Sequence, residues 1–97
     1  MIGLQPTTAE VIHWRGPSPF YFALLEQPAS DDVAAAAPAL SYGWGAIRAR
    51  VTVQGYEWET AIFPKDGRYV VPLKKSVRER ITVDVGDVID IEVVIGG

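Results

Sequence analysis

The chain has 97 residues, of which 48% are hydrophobic and 22% charged, and its net charge is −3 at pH 7. This length is typical of one domain whose core is large enough to fold without cross-links. The absence of cysteine excludes disulfides, thiolate metal sites and cysteine nucleophiles. We therefore expect a single domain over residues 1–97 that is stabilised by packing alone, with residues 1–8 as a loose N-terminal tail.

The charges are unevenly distributed along the chain. Residues 1–47 carry one basic and four acidic side chains, residues 48–80 carry eight and four, and residues 81–97 carry none and four. The middle block predicts either a basic surface on an otherwise acidic protein or charge pairs between neighbouring strands.

No part of the sequence has the pattern of a membrane or export segment. No apolar run approaches the roughly 20 residues of a spanning helix, and the first ten residues lack a basic cluster and an apolar signal core. We therefore expect a cytoplasmic protein that does not associate with a membrane.

The first part of the chain predicts a hairpin followed by a short helix. Residues 10–14 and 20–25 are rich in β-forming residues, and the turn-forming sequence RGPS separates them. Pro28 ends the second strand, Ser30 is a favourable helix N-cap, and Pro38 resists continuation of the helix. We expect one or two helical turns here, and then a turn at residues 41–45.

The clearest strand follows that turn. Apolar and polar residues alternate over residues 47–53, which is the pattern of a half-buried strand. Gln54 and Gly55 predict a tight turn, after which residues 56–63 return antiparallel. Arg48 or Arg50 is then expected to face Glu57 or Glu59 across the hairpin.

The remaining elements complete an all-β pattern. A turn is predicted at residues 64–67, a strand at 68–71 and an amphipathic helix starting at Pro72, with Leu73, Val77 and Ile81 on its apolar face. Residues 85–87 form the last turn, and the alternating residues 88–95 form the last strand. Because closure removes exposed strand edges, we predict a small closed barrel of about six mainly antiparallel strands with two short helices.

Catalytic chemistry has little support in the sequence. The one histidine, His13, lies in a predicted strand, where we expect it to be part of the barrel wall. Asp90 and Glu92 alternate with core residues, as solvent-facing side chains do, and the glycine-flanked Trp44 lacks the lysine of a phosphate-binding loop. We therefore predict no catalytic residue, no metal site and no cofactor.

Two features point instead to binding. Tyr42 and Trp44 lie beside glycines, where aromatic rings either line a ligand pocket or plug a barrel end. Residues 65–80 hold six basic side chains against two acidic ones. The candidate ligand-binding residues are Tyr42, Trp44, Lys65, Arg68, Lys74 and Arg78.

Several motifs in one order resemble a bacterial family. They are residues 42–45 (YGWG), 63–69 (FPKDGRY), 72–78 (PLKKSVR) and 86–88 (GDV), and together they are similar to the domain-of-unknown-function family numbered 1905. The resemblance implies a six-stranded barrel with short helices, and it supplies no site residues. Some members carry a C-terminal segment related to YdeI or OmpD-associated proteins, with a link to bacteriocin resistance, and we expect no such segment here.

Three functions are compatible with these features. The first is a noncatalytic module that binds a small molecule or a protein, of unknown oligomeric state. The alternative is a nucleic-acid-binding regulator similar to AbrB and MazE, which would use the basic residues 65–80 and lose affinity steeply with salt. The third and least favoured is an enzyme, which requires His13 or the C-terminal acids to gather in a pocket.

Overall fold

A computed structural model describes residues 1–16, 20–41 and 45–96 of the chain. Most of the turns predicted at residues 15–18 and 41–45 therefore lie outside the described residues. Seven strands and two helices are formed within the described part. They are β1 (Ile2–Gly3), β2 (Thr7–Trp14), β3 (Phe20–Leu25), α1 (Gln27–Leu40), β4 (Ile47–Val53), β5 (Tyr56–Lys65), β6 (Arg68–Pro72), α2 (Lys75–Ile81) and β7 (Val88–Ile95).

Six of the strands form a closed antiparallel barrel, which confirms the predicted fold. The order around the barrel is β7-β2-β3-β6-β5-β4, and β4 pairs with β7 to close it. Closure leaves β7 paired along both of its edges, since β2 and β4 flank it.

The N-terminal residues are not a loose tail, contrary to the prediction. Ile2 pairs with Ile95, and the Leu4 amide donates to the Val93 carbonyl at 2.9 Å. Strand β2 then pairs with β7 from Thr7 onward. The first residues are therefore part of the sheet, since β1 and β2 pair one after the other with the same edge of β7.

Two tight turns connect the strands β4, β5 and β6. Gln54 and Gly55 join β4 to β5 with φ of 52° and 78°, and Asp66 and Gly67 join β5 to β6 with φ of 51° and 80°. Two successive residues with positive φ match the twist of antiparallel strands. The first turn confirms the prediction, whereas the second is shorter than predicted because β5 continues to Lys65.

Helix α1 is much longer than the one or two turns expected. It has 14 residues, with Pro28 in its first turn and Pro38 inside its last turn. A proline in the first turn removes no intrahelical hydrogen bond, and the alanine-rich run that follows has high helix propensity. Pro38 comes too near the end to stop the helix, since the Ser41 amide still donates to the Ala37 carbonyl at 2.8 Å.

The two helices close opposite ends of a filled barrel. Helix α1 connects β3 to β4 at one end, and α2 connects β6 to β7 at the other. Val33 of α1 is fully buried, and so is Ile81 of α2.

Helix α2 starts at Lys75, three residues later than predicted, because Pro72 still belongs to β6. Of its predicted apolar face, Val77 and Ile81 are buried on the helix, and Leu73 is buried ahead of it. The largest side chains that are less than 2% exposed are Leu25, Ile47, Ile62, Leu73, Ile81, Ile91 and Ile95.

Across the described residues, no helix combines the length and the apolar character that crossing a membrane requires.

A buried serine ties helix α1 to the barrel. Ser30 is 1% exposed, and its hydroxyl accepts the Tyr69 amide of β6 at 3.0 Å and donates to the Leu25 carbonyl at 3.3 Å. It lies inside α1, whose N-cap is Glu26, so its role is not the helix cap that the sequence suggested. The hydroxyl instead satisfies a backbone donor that would otherwise be buried without a partner.

We predict that Ser30→Ala lowers the free energy of unfolding by about 1–3 kcal/mol, because the buried Tyr69 amide loses its acceptor. Urea unfolding followed by circular dichroism measures the change. Ser76→Ala, at an exposed position of α2, is the matched control and should stay within about 0.5 kcal/mol of the parent. Equal effects of the two substitutions would contradict the bridging role of Ser30.

Candidate functional site

The filled interior restricts where a ligand can bind. The inward side chains of all six barrel strands pack into one core. A ligand must therefore contact the outer wall or an end of the barrel. The described residues form three surface features: an outer aromatic groove, a stacked cluster beside α2 and a polar cleft over β7.

The aromatic groove is a concave region of about 470 Å³ on the outer wall, between β3 and β5. It exists because β6 is short. Strand β6 pairs with β5 only over Phe63–Lys65 and ends at Pro72, while β3 and β5 continue past it. The lining residues are Phe20, Phe22, Thr60, Ala61, Phe63, Pro72 and Lys74.

Strand alternation explains why phenylalanine rings lie on the outside. In β3, Ala23 and Leu25 are fully buried, so the alternate positions Phe20 and Phe22 face outward. In β5, Ile62 is buried and Phe63 faces outward in the same way. Phe20 and Phe63 are each 36% exposed, and the rings of Phe20 and Phe22 lie 5.3 Å apart. The groove is thus an aromatic surface with one cationic residue, Lys74.

The stacked cluster consists of His13, Tyr21 and Arg78. His13 and Tyr21 are paired across β2 and β3, and their rings stack at 4.5 Å with an interplanar angle of 21°. The guanidinium carbon of Arg78 lies 4.0 Å from the centre of the Tyr21 ring. Because β3 lies between β2 and β6, Tyr21 separates the histidine from the arginine of the helix that follows β6.

The polar cleft has a volume of about 710 Å³, which is larger than that of the aromatic groove. Asp90 and Glu92 of β7 line it together with Glu26 and Asp32, and the Thr8 hydroxyl donates to the Glu26 carboxylate. Within the described part of the chain, no three or more histidines and carboxylates are grouped to hold a metal ion. The described residues of the cleft therefore form an acidic surface and do not converge on one point as metal ligands do.

The structure separates the predicted basic residues. Lys74 and Arg78 lie at the α2 end of the barrel, whereas Lys65 and Arg68 lie at the opposite end of β6, about 17 Å away along five strand residues. Arg68 donates from Nε to the Leu25 carbonyl at 2.9 Å, and Lys65 contacts Asp66 at 3.6 Å. These four side chains therefore do not form a single basic face. Tyr42 and Trp44 lie outside the described residues.

Other predicted contacts are present. Arg50 faces both acids across the hairpin, with Nε 3.5 Å from Glu57 and a terminal nitrogen 4.0 Å from Glu59. Near the last turn, the Asp87 carboxylate accepts the Asp84 amide at 2.9 Å, which is ordinary turn chemistry. The aromatic groove was missed in the sequence analysis. The sequence feature that indicates it is the alternation of β3, in which Phe20 and Phe22 face away from the buried Ala23 and Leu25.

The fold defines a small closed β-barrel domain with a helix over each end. The chain belongs to the family described as Domain of unknown function (DUF1905), whose sequence profile matches residues 8–93. No curated protein matches the chain.

We predict that Arg78→Ala lowers the free energy of unfolding by about 1–2 kcal/mol, since Arg78 contributes a hydrogen bond to Leu73 and the contact with Tyr21. Arg80→Ala is the matched control, because Arg80 is exposed and lies 4.7 Å from the Tyr56 ring. The control should cost less than about 1 kcal/mol in the same urea experiment. A loss for Arg78→Ala no larger than that for the control would contradict the anchoring role of Arg78.

Proposed function

We propose that this protein is a noncatalytic binding module whose aromatic groove takes a small molecule with an apolar body and one carboxylate. The observation that carries the proposal is the composition of the groove, which joins three phenylalanines and a proline to a single charged residue, Lys74.

The apolar part of the ligand is inferred from the lining. Small-molecule sites are typically concave, of about 300–1,000 Å³, and lined mainly by apolar and aromatic side chains with a few polar groups. The groove is shallow, and it matches this description in its volume of about 470 Å³ and in its mainly aromatic lining. An aromatic or aliphatic body lying against Phe22 and Phe63 would remove their exposed ring surface from water, which favours binding in proportion to the area covered.

The acidic part of the ligand is inferred from charge. Lys74 is exposed at the groove, and within the described residues no carboxylate lies within salt-bridge distance of it. The acidic side chains of β5 pair with a different cation, since Glu57 and Glu59 both approach Arg50 of β4. The charge that Lys74 places beside the groove is therefore available to an anion.

The test uses the probe 4-phenylbutyrate, titrated into labelled protein and followed by amide NMR. We expect saturable shifts at groove residues, chiefly Phe22, Ala61 and Phe63. Lys74→Glu should weaken the apparent affinity about fivefold, because it removes an exposed charge pair and adds repulsion.

Two controls make that test decisive. Lys75→Glu makes the same charge change on the neighbouring residue, which does not line the groove, and should leave the affinity nearly unchanged. The neutral analogue 4-phenylbutanol should bind with equal affinity to the parent and to Lys74→Glu. The proposal is wrong if the groove amides do not shift, and a dependence of their shifts on protein concentration alone would assign the groove to a second copy of the chain.

Nucleic acid is the contrasting ligand, and a short DNA duplex at low salt tests it. Because the cations of residues 65–80 are divided between two ends of the barrel, we expect no salt-sensitive shifts spanning both Arg68 and Arg78. A regulator that uses this segment would show such shifts over the whole of residues 65–80, and they would disappear as salt displaces the protein from phosphate. That result would replace the small-molecule proposal.

A further inference from the structure

We propose that Arg78 and Tyr21 form a second ligand site, specific for an oxyanion such as a carboxylate or a phosphate group. The site lies at the α2 end of the barrel and is independent of the aromatic groove. The proposal rests on two observations. The Arg78 guanidinium is fixed in one orientation, and among the described residues no carboxylate lies within salt-bridge distance of it.

The guanidinium is held in one orientation. Its Nε donates to the Leu73 carbonyl at 3.1 Å, and its carbon lies 4.0 Å from the centre of the Tyr21 ring. Leu73 is itself fixed, because its side chain is fully buried and its amide donates to the Tyr21 carbonyl at 2.9 Å. The two elements that position Arg78 are thus bonded to each other.

This anchoring leaves the binding end of the arginine unused. With Nε committed to Leu73, the two terminal amino groups still present a planar fork of N–H donors. Among residues 1–16, 20–41 and 45–96, no carboxylate lies within salt-bridge distance of Arg78. The side chain is nevertheless half-buried, and its helical neighbour four residues earlier is Lys74, a like charge. A partly desolvated cation in this setting is stabilised by an anionic ligand.

The chemistry of the fork selects the ligand class. Two parallel N–H donors match two oxygens of one carboxylate or phosphate, and such bidentate pairs are stronger than contacts from a lysine ammonium. The ring that Arg78 covers carries the Tyr21 hydroxyl, which is a neutral donor on the residue that the guanidinium contacts. His13 stacks on the same ring and holds it in place. His13 is thus a positioning residue.

The site is separate from the aromatic groove, although both lie near α2. Tyr21 alternates with Phe20 and Phe22 along β3, so its ring faces the opposite side of the sheet from theirs. Lys74 lines the groove, whereas neither Tyr21 nor Arg78 does. Success or failure of one site therefore does not decide the other.

The experiment titrates inorganic phosphate and, separately, acetate into labelled protein at constant ionic strength. Shifts are followed at the Arg78 side-chain Nε–H and at the Tyr21 ring. We expect saturable shifts with at least one of the two anions, and the anion that saturates identifies the ligand group. Arg78→Lys keeps the charge but loses the fork, and should weaken the apparent affinity about tenfold.

Arg80→Lys is the matched control, since Arg80 lies over Tyr56 in the same helix and should not affect binding. Tyr21→Phe keeps the stacked ring and removes only the hydroxyl, so it should weaken binding less than Arg78→Lys. Well-dispersed amide spectra show that each variant is folded, and 4-phenylbutyrate shifts in the groove should survive in Arg78→Lys. Absence of saturation with both anions, or equal weakening by Arg80→Lys, would overturn the proposal.

Discussion

The packing of apolar side chains inside the closed barrel is the interaction on which the rest of the structure depends. Every strand of the barrel contributes inward residues to one core, and the most buried of them are less than 2% exposed. These described side chains pack into one apolar core, as in other protein interiors. The helices cover the two ends of the barrel, and the aromatic groove lies on its outer wall.

The sequence predicted those parts of the fold in which one residue pattern dominates. The alternation of β4 and β7 located both strands at the residues where the structure has them, and the paired turn residues Gln54 and Gly55 located the hairpin between β4 and β5. Helix α1 was underestimated because Pro38 was given too much weight. The effect of a proline depends on its place in the helix, and the sequence does not show where the helix ends.

The candidate site was less predictable, because it depends on register. Phe22 and Phe63 lie 41 positions apart, and only the pairing of both β3 and β5 with β6 places them beside one groove. In the basic residues 65–80, by contrast, neighbours in sequence are separated in space. Arg68 and Arg78 are close in sequence, yet β6 carries the chain from one end of the barrel to the other between them. Proximity in sequence therefore predicted a basic surface that the structure divides. It gave no indication of the aromatic groove, whose residues are distant in sequence.

The position of β7 has a consequence for how the molecule folds during synthesis. This strand is the last in sequence, yet it pairs with β2, about 80 positions earlier, and with β4. Such non-local pairings slow folding, because a long segment of chain must be ordered before they form. Until β7 emerges from the ribosome, the facing edges of β2 and β4 have no partner, and their apolar faces are open to other chains. Closure of the barrel therefore waits for β7, and changes that weaken the pairing of β7 should lower the yield of folded protein in cells.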